Sequence, residues 1–318
     1  GTPARAGQTY TLMTGGPTSN FYPVGVALNT LLQLKYEEPQ GVLLNVQQSE
    51  GARGNLLALL QGKADIAFVD SATILAAINK QPPFDQFNNI GEITALAALW
   101  PDVAHLILRR SQIQSGDADD FRNLIDEVVS FGPQNSTSAF ASRQIFREIG
   151  VTYETLFQIQ NYDIQQSADA FIDERINGLS FFTYPGSQPI TRIMEAPKTN
   201  AAFLDINLAQ LKRINSDPLK IWERYVIPAH TYANQPNPVS TIAQMNYLVA
   251  MKNFSENDAH YISQTLFENL TFVKALHGAA KGIDPETSKG EIILPLHLGV
   301  QRYFAEANPC TGIFCLFN

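Results

Sequence analysis

The sequence predicts an α/β protein of two lobes, each a mostly parallel sheet flanked by helices. Strand and helix patterns alternate from Thr9 onward, and such alternation implies parallel strands with helices on both faces. A long apolar, extended run from Ile93 to Arg109 is suited to carry the chain from one lobe into the other. Beyond it, a second strand, a loop of small residues and a helix repeat the pattern of the opening.

The opening unit is the most informative. Tyr10 and Leu12 alternate with Thr9 and Thr11, a strand pattern. The loop Thr14-Gly15-Gly16-Pro17-Thr18-Ser19-Asn20 follows, and a helix is expected from Pro23, its apolar face formed by Val24, Ala27, Leu28, Leu31 and Leu32. A helix start offers unpaired backbone N–H groups and the positive end of the helix dipole, a setting that favours an anion. An ordinary strand-loop-helix corner fits the same residues.

Val42 to Gln48 reads as the second strand, broken at Ser49-Glu50-Gly51, with a helix from Arg53 to Gln61. A third strand, Ala64 to Val69, runs into Asp70-Ser71, which can cap a helix over Thr73–Asn79. The strand ends at Thr14–Tyr22, Gln47–Gly51 and Asp70–Ser71 then share one edge, where ligands bind in open α/β sheets. In the second lobe, Val128 to Phe131 is a strand. Gly132-Pro133-Gln134-Asn135-Ser136-Thr137-Ser138 leads into a helix that buries Phe140, Ile145, Phe146 and Ile149. The cluster Asn135 to Ser138 reads equally as a good N-cap or as a second ligand-facing helix start.

Further strands are expected at Phe157–Gln160, Leu179–Thr183, Ala201–Asp205, Trp222–Ile227 and Tyr247–Met251. Helices are expected at Ala168–Ile176, Gln188–Glu195, Leu208–Ile214, Ser255–Asn269, Thr271–Leu276 and Leu298–Ala305. Pro228 to Pro238 is loop-rich and returns the chain. The boundaries that follow are residues 1–102 with 230–318 for lobe 1 and 103–229 for lobe 2, hinged near 100–104 and 227–232.

With 318 residues the chain is long enough for two domains of common size. A formal charge of −8 without a basic cluster argues against nucleic acid or an anionic membrane surface. No apolar run approaches the roughly 18 residues of a membrane span. The opening Gly1-Thr2-Pro3-Ala4-Arg5-Ala6-Gly7 is patternless and fits a mature protein from which a signal sequence has been removed. The two cysteines, Cys310 and Cys315, have neither redox nor zinc spacing; they form a small disulfide loop or stand as free thiols.

Motifs for serine hydrolysis, nucleotide phosphates, dinucleotides and zinc peptidases are absent. The five histidines are scattered, and Asp70 with one of them would be the nearest candidate acid-base pair. No catalytic residue, metal or cofactor is expected, and binding gains weight over catalysis.

At this point the chain resembles a known family. TGGPTSNFYPVGVAL is similar to the opening signature of the TAXI-type solute-binding proteins that serve TRAP transporters, and VQQSEGARGNLLALLQGKADIAFVDS and FGPQNSTSAFASRQIF resemble its next blocks. FFTYPGSQPI, YVIPAHTYANQ and LPLHLGVQRYF follow in order, so the likeness runs from Thr9 to Phe304. It implies a periplasmic-binding-protein-like fold of type II, closing on a small solute such as glutamate or a dicarboxylate. It also implies an extracytoplasmic, non-catalytic receptor that delivers the solute to membrane permease subunits. The contacts carried over are Thr14, Gly15, Ser19, Asn20, Phe21, Tyr22, Gln47, Ser49 and Asp70 in the first lobe. In the second they are Asn135, Ser136, Thr137 and Ser138, with Tyr184 as an aromatic wall.

Pro17, Ser19, Phe21 and Gln134-Asn135 depart from the family pattern, and Arg53 and Arg143 are the arginines nearest the motif loops. The solute is therefore left open. A similar receptor for an ATP-driven importer or sensor kinase fits the same lobes, and an enzyme on this architecture predicts an acid-base pair in the cleft.

Overall fold

A computed structural model describes residues 7–151, 153–216 and 218–307; Cys310 and Cys315 lie outside them. The strands are β1 (Gln8–Met13), β2 (Val42–Gln47), β3 (Ile66–Asp70), β4 (Ile93–Arg109), β5 (Val128–Ser130), β6 (Gln158–Gln160), β7 (Gly178–Thr183), β8 (Ala201–Phe203), β9 (Glu223–Ile227) and β10 (Val239–Met251). The helices are α1 (Phe21–Leu34), α2 (Ala52–Leu60), α3 (Ser71–Ile78), α4 (Thr137–Glu148), α5 (Tyr153–Leu156), α6 (Ile164–Ile172), α7 (Gln188–Glu195), α8 (Leu208–Ile214), α9 (Glu256–Phe267), α10 (Leu270–Leu276), α11 (Pro285–Lys289) and α12 (Leu298–Ala307).

The strands form one mixed sheet in the order β2-β1-β3-β10-β4-β7-β5-β6, with β8 on β4 and β9 on β10. Its outer pairs are parallel in both halves (β1 with β2 and β3; β5 with β6 and β7). The long strands β4 and β10 run antiparallel through the middle. β10 pairs with β9 over Val239–Ala243 and with β3 over Asn246–Val249, so it changes halves within its own length. Near the change the register slips: Leu99 and Trp100 oppose the single residue Asn246, a bulge that bends and twists a strand pair.

The hydrophobic core divides along the same line. One cluster draws on residues 12–100 and 247–303, centred on Leu12, Phe68 and Trp100. Two others draw on residues 103–243, with Ala72 reaching across. Phe121, Phe131 and Phe146 fill one of these, their rings within 5.8 Å of one another.

Several expectations shift. Helix α1 begins at Phe21, so Pro23 occupies its first turn rather than its first residue; it still sits where no intrahelical N–H bond is lost. The run through Trp100-Pro101-Asp102 is part of one long strand, bent at the bulge opposite Asn246. β10 starts at Val239, eight residues before the expected Tyr247, because its first half is held by β9. Ile227, Tyr232 and Val239 share a core cluster with Phe171 of α6. Helix α6 starts at Ile164 because Asp163 and Gln166 form a reciprocal capping box.

Candidate functional site

The strand ends meet where β4 and β10 cross. Asn55 of α2, fully buried, ties the first-half loops together: its Nδ2 donates to the carbonyls of Thr14 (2.6 Å) and Phe68 (2.9 Å). Its Oδ1 accepts from Ser49 Oγ (2.6 Å). Thr14 Oγ1 donates to the Gln47 carbonyl (2.6 Å), and Ser49 N donates to the Gly15 carbonyl (3.0 Å). These bonds hold the loops after β1 and β2 side by side and aim the starts of α1 and α2 the same way.

In the second half, Gly132 with φ +98° turns the chain from β5 toward α4. A Cβ there would lie 2.8 Å from Ser136 Oγ and 3.3 Å from Ser138 Cβ, so only glycine fits. Ser136 caps α4 by accepting from Ala139 N (3.2 Å). Buried Ser138 accepts from the backbone N of Phe182 (3.0 Å), fixing α4 against β7.

Between the halves lies a cavity of about 480 Å³, within the range usual for small-molecule sites. Its walls combine the loop Gly15–Phe21 (without Pro17), Ser49–Gly51, Pro133–Ser138, Asp163–Ile164, Phe181–Thr183 and Asp102. The starts of α1, α2, α4 and α6 all open on it. The N-cap residues Asn20 and Gly51 make no side-chain cap bond, Ser19 Oγ accepting only a long bond from Tyr22 N (3.4 Å), and the positive ends of both dipoles face the cavity. Phe21, Phe181, Phe182 and Ile164 supply its apolar surface.

The halves also touch around this cavity. Thr137 Oγ1 donates to Asp70 Oδ2 (2.7 Å), Asn20 Nδ2 to Thr183 Oγ1 (3.3 Å) and Asn135 Nδ2 to Glu50 Oε2 (3.3 Å). The Arg53 guanidinium lies 4.3 Å from the Phe140 ring centre, a desolvated cation–π contact across the halves.

Of the expected contact residues, Gly15, Ser19, Asn20, Phe21, Ser49, Asn135, Ser136, Thr137 and Ser138 line the cavity. Thr14, Tyr22, Gln47, Asp70 and Tyr184 do not. Thr14 is buried behind the loop, and Gln47 turns its amide to Asn45 Oδ1 (2.7 Å). Asp70 is buried, its Oδ1 capping α3 through Thr73 N (2.8 Å) and its Oδ2 taken by Thr137; it positions the site from behind. Tyr22 is one residue past Phe21, about 100° further round the helix. Tyr184 packs edge-on against His277, 5.6 Å between ring centres. Neither Arg53 nor Arg143 reaches the lining, and Arg53 spends Nη2 on the Pro82 carbonyl (3.1 Å).

Lining residues that sequence reading missed include Gly16, Glu50, Gly51, Asp163, Ile164, Phe181, Phe182, Thr183 and Asp102. Asp102, 5% exposed, lies opposite Gln244 in the β4–β10 ladder. Burial pushes its carboxyl up to about 8, helped by Asp70 and opposed by Asn246 and Trp100. The histidines stand elsewhere. His105 is buried between the Val103 carbonyl (2.8 Å) and Tyr232 Oη (2.7 Å), and burial holds it down at about 4. Among the described residues no group of His, Cys, Asp and Glu could hold a metal ion, and no helix is long and apolar enough to cross a membrane.

The sequence profile of the NMT1-like family matches residues 12–307. The chain belongs to the NMT1-like family. Among solved structures, this NMT1-like chain is similar to MatC from Rhodopseudomonas palustris with bound malate, at 14% identity and a TM-score of 0.55. That match covers 94% of this chain and 97% of MatC, and it shows a shared fold. A TctC solute binding protein from Polaromonas is 13% identical with a TM-score of 0.49, covering 87% of this chain and 88% of that one. The periplasmic aliphatic sulphonate binding protein SsuA from Escherichia coli is 10% identical with a TM-score of 0.45, covering 95% and 84%. The NMT1-like chain thus shares the fold of MatC, a mixed α/β sheet flanked by helices.

Proposed function

We propose that this NMT1-like chain is an extracytoplasmic receptor that binds a small carboxylate or amino acid, glutamate-like or a dicarboxylate. In this reading it performs no catalytic step and delivers the solute to membrane permease subunits of TRAP type, as a TAXI-type protein. The observation that carries it is the convergence of α1, α2, α4 and α6 on one cavity. Backbone N–H groups at helix starts hold an anion without a cationic side chain, and the lining contains no Lys, Arg or His.

Ligand contacts fall on Gly15, Ser19, Asn20, Phe21 and Ser49 from one side and Asn135 to Ser138 from the other. Thr14, Gln47 and Asp70 shape the first wall from behind; Tyr22 and Tyr184 take no direct part. The lobes are residues 1–102 with 230–318, and residues 103–229. The hinge runs near 100–104 and 227–232, and the β4–β10 bulge at Leu99–Trp100 against Asn246 adjoins its first segment. Closure is stabilised because a bound solute gains contacts from both lobes. MatC, which shares the fold, carries malate, so malate heads the ligands to try.

Gentle purification, denaturation and mass spectrometry of the released material test the reading. A stoichiometric small acid supports it. Release of nothing, together with no rise in melting temperature across amino acids and dicarboxylates, refutes it, because a ligand that prefers the folded state must raise that temperature.

A further inference from the structure

Three acids line the cavity, Glu50, Asp163 and Asp102, and the last has the Asn246 and Trp100 side chains beside its carboxyl. Glu50 is exposed at the rim and accepts from Asn135; Asp163 is the capping residue of α6, accepting from Gln166 N (2.7 Å). Asp102 is different. It sits at the level of the strand crossing, buried, and in the sheet it neighbours Gln244 and Asn246 of β10. Asn246 in turn pairs with Asp70 of β3, so Asp70, Asn246, Gln244 and Asp102 share one face of the sheet. This polar row is incompletely paired. Gln244 Oε1 accepts from Ala72 N (2.8 Å), whereas Gln244 Nε2 and Asn246 Oδ1 are buried with no hydrogen-bond partner in the structure. Buried orphan polar atoms are costly, and here they flank a carboxyl that faces a cavity.

Resting on the reading of a carboxylate receptor, we propose that Asp102 is a specificity-determining residue that carries its own proton. As a neutral carboxylic acid it donates a hydrogen bond to an oxygen of the ligand carboxylate. Burial and the nearby Asp70 on β3 keep the proton in place, and the other acids of the lining, Asp163 and Glu50, bring no cation to it. Tyr247 lies further along β10 and Tyr184 follows β7; no basic residue lines the cavity. Arg53, outside the lining, is drawn to Asp70 and Phe140. An ionised carboxylate would repel an anionic ligand, while a carboxylic acid offers a short, strong donor in a site without arginine. The helix starts hold one end of the ligand and Asp102 selects for a second acceptor at the floor.

The test is calorimetric titration of wild-type and Asp102→Asn protein with L-malate, succinate and L-glutamate between pH 6 and 9.5. In parallel, ligand-free stability of both proteins is followed over the same range. Expected in the wild type is a constant affinity below pH 8, then a fall of up to about tenfold per pH unit above the point where the free acid ionises, until the bound acid ionises too. Asp102→Asn, which keeps a weaker donor and cannot ionise, binds up to about tenfold more weakly at pH 6 with a flat profile. A flat wild-type profile, or a variant with the wild type's pH dependence, overturns the proposal and leaves the receptor reading standing. Binding of a diamine such as putrescine that is lost in Asp102→Asn overturns both, since the acid would then be an ionised partner for a cation. Failure of every carboxylate, with a stability difference showing that Asp102 keeps its proton, rejects the carboxylate ligand and with it the donor role.

Discussion

Replacing Asp102 by asparagine should make the ligand-free protein more stable at high pH while changing little in acid. The carboxyl has an ordinary value of 3.8 and is pushed up to about 8 in the fold, so the folded state holds a proton that the unfolded chain releases. Its contribution is fully present below pH 4, where both states are protonated. As pH rises it is lost, at ~1.4 kcal/mol per pH unit, until the folded carboxyl also ionises near pH 8. The full span amounts to about 6 kcal/mol, an upper figure that relaxation around the buried group reduces to a few kcal/mol. Asparagine is nearly isosteric and has no such loss. The assay is urea unfolding of both proteins at pH 5, 6, 7, 8 and 9, read as the difference in stability between variant and wild type. That difference should climb steadily from pH 5 to 8 and level off by pH 9. Parallel curves across the range would show that Asp102 ionises normally despite its burial.

Other expected outcomes concern the parts that hold the site together. Thr137→Val removes the hydroxyl that joins Asp70 across the halves; affinity should drop about tenfold, as for one hydrogen bond to a charged acceptor. The ligand-free radius of gyration by X-ray scattering should rise, while Asp70 still caps α3. Asn55→Ala strips the tie among Thr14, Ser49 and Phe68 and leaves buried carbonyls unpaired, so thermal or urea unfolding should report a loss of about 2–3 kcal/mol. Asn135→Ala removes an exposed amide that reaches Glu50; ligand binding should weaken with the melting temperature unchanged, and unaltered affinity would place the ligand away from α4.

Much of this architecture was legible in the residues. The alternation of Tyr10 and Leu12, the small-residue loops at Thr14–Asn20 and Gly132–Ser138, and the apolar faces of the helices behind them led to two facing helix starts. Both line the cavity. What stayed hidden depended on position in the assembled sheet rather than on local pattern. Asp102 sits within an apolar run, and only the crossing of β4 against β10 turns it to the cavity. Phe181, Phe182 and Thr183 read as any buried strand end.

The Asp163–Gln166 capping box was present in the sequence, but the helix was sought from Ala168, where apolar spacing is clearest, and the cap lies before it. Tyr22 and Tyr184 were placed in the cleft from the order of the motifs. Neither is in the cavity lining: Tyr22 is one helix step past Phe21, and Tyr184 passes the end of β7 to settle on His277. The first half of β10 was obscured because its neighbour β9 is separated from it by a proline-rich loop.

The cavity itself is tested most directly by filling it. Gly16 lines the wall, and a Cβ placed there meets nothing within 4 Å, so a side chain can start from this position and Gly16→Phe is the filling variant. Calorimetric titration of wild-type and Gly16→Phe protein with the small acid released from the purified receptor should give one site per chain in the first and none in the second, at equal melting temperatures without ligand. Equal binding by both proteins would put the ligand outside the cavity and contradict the account.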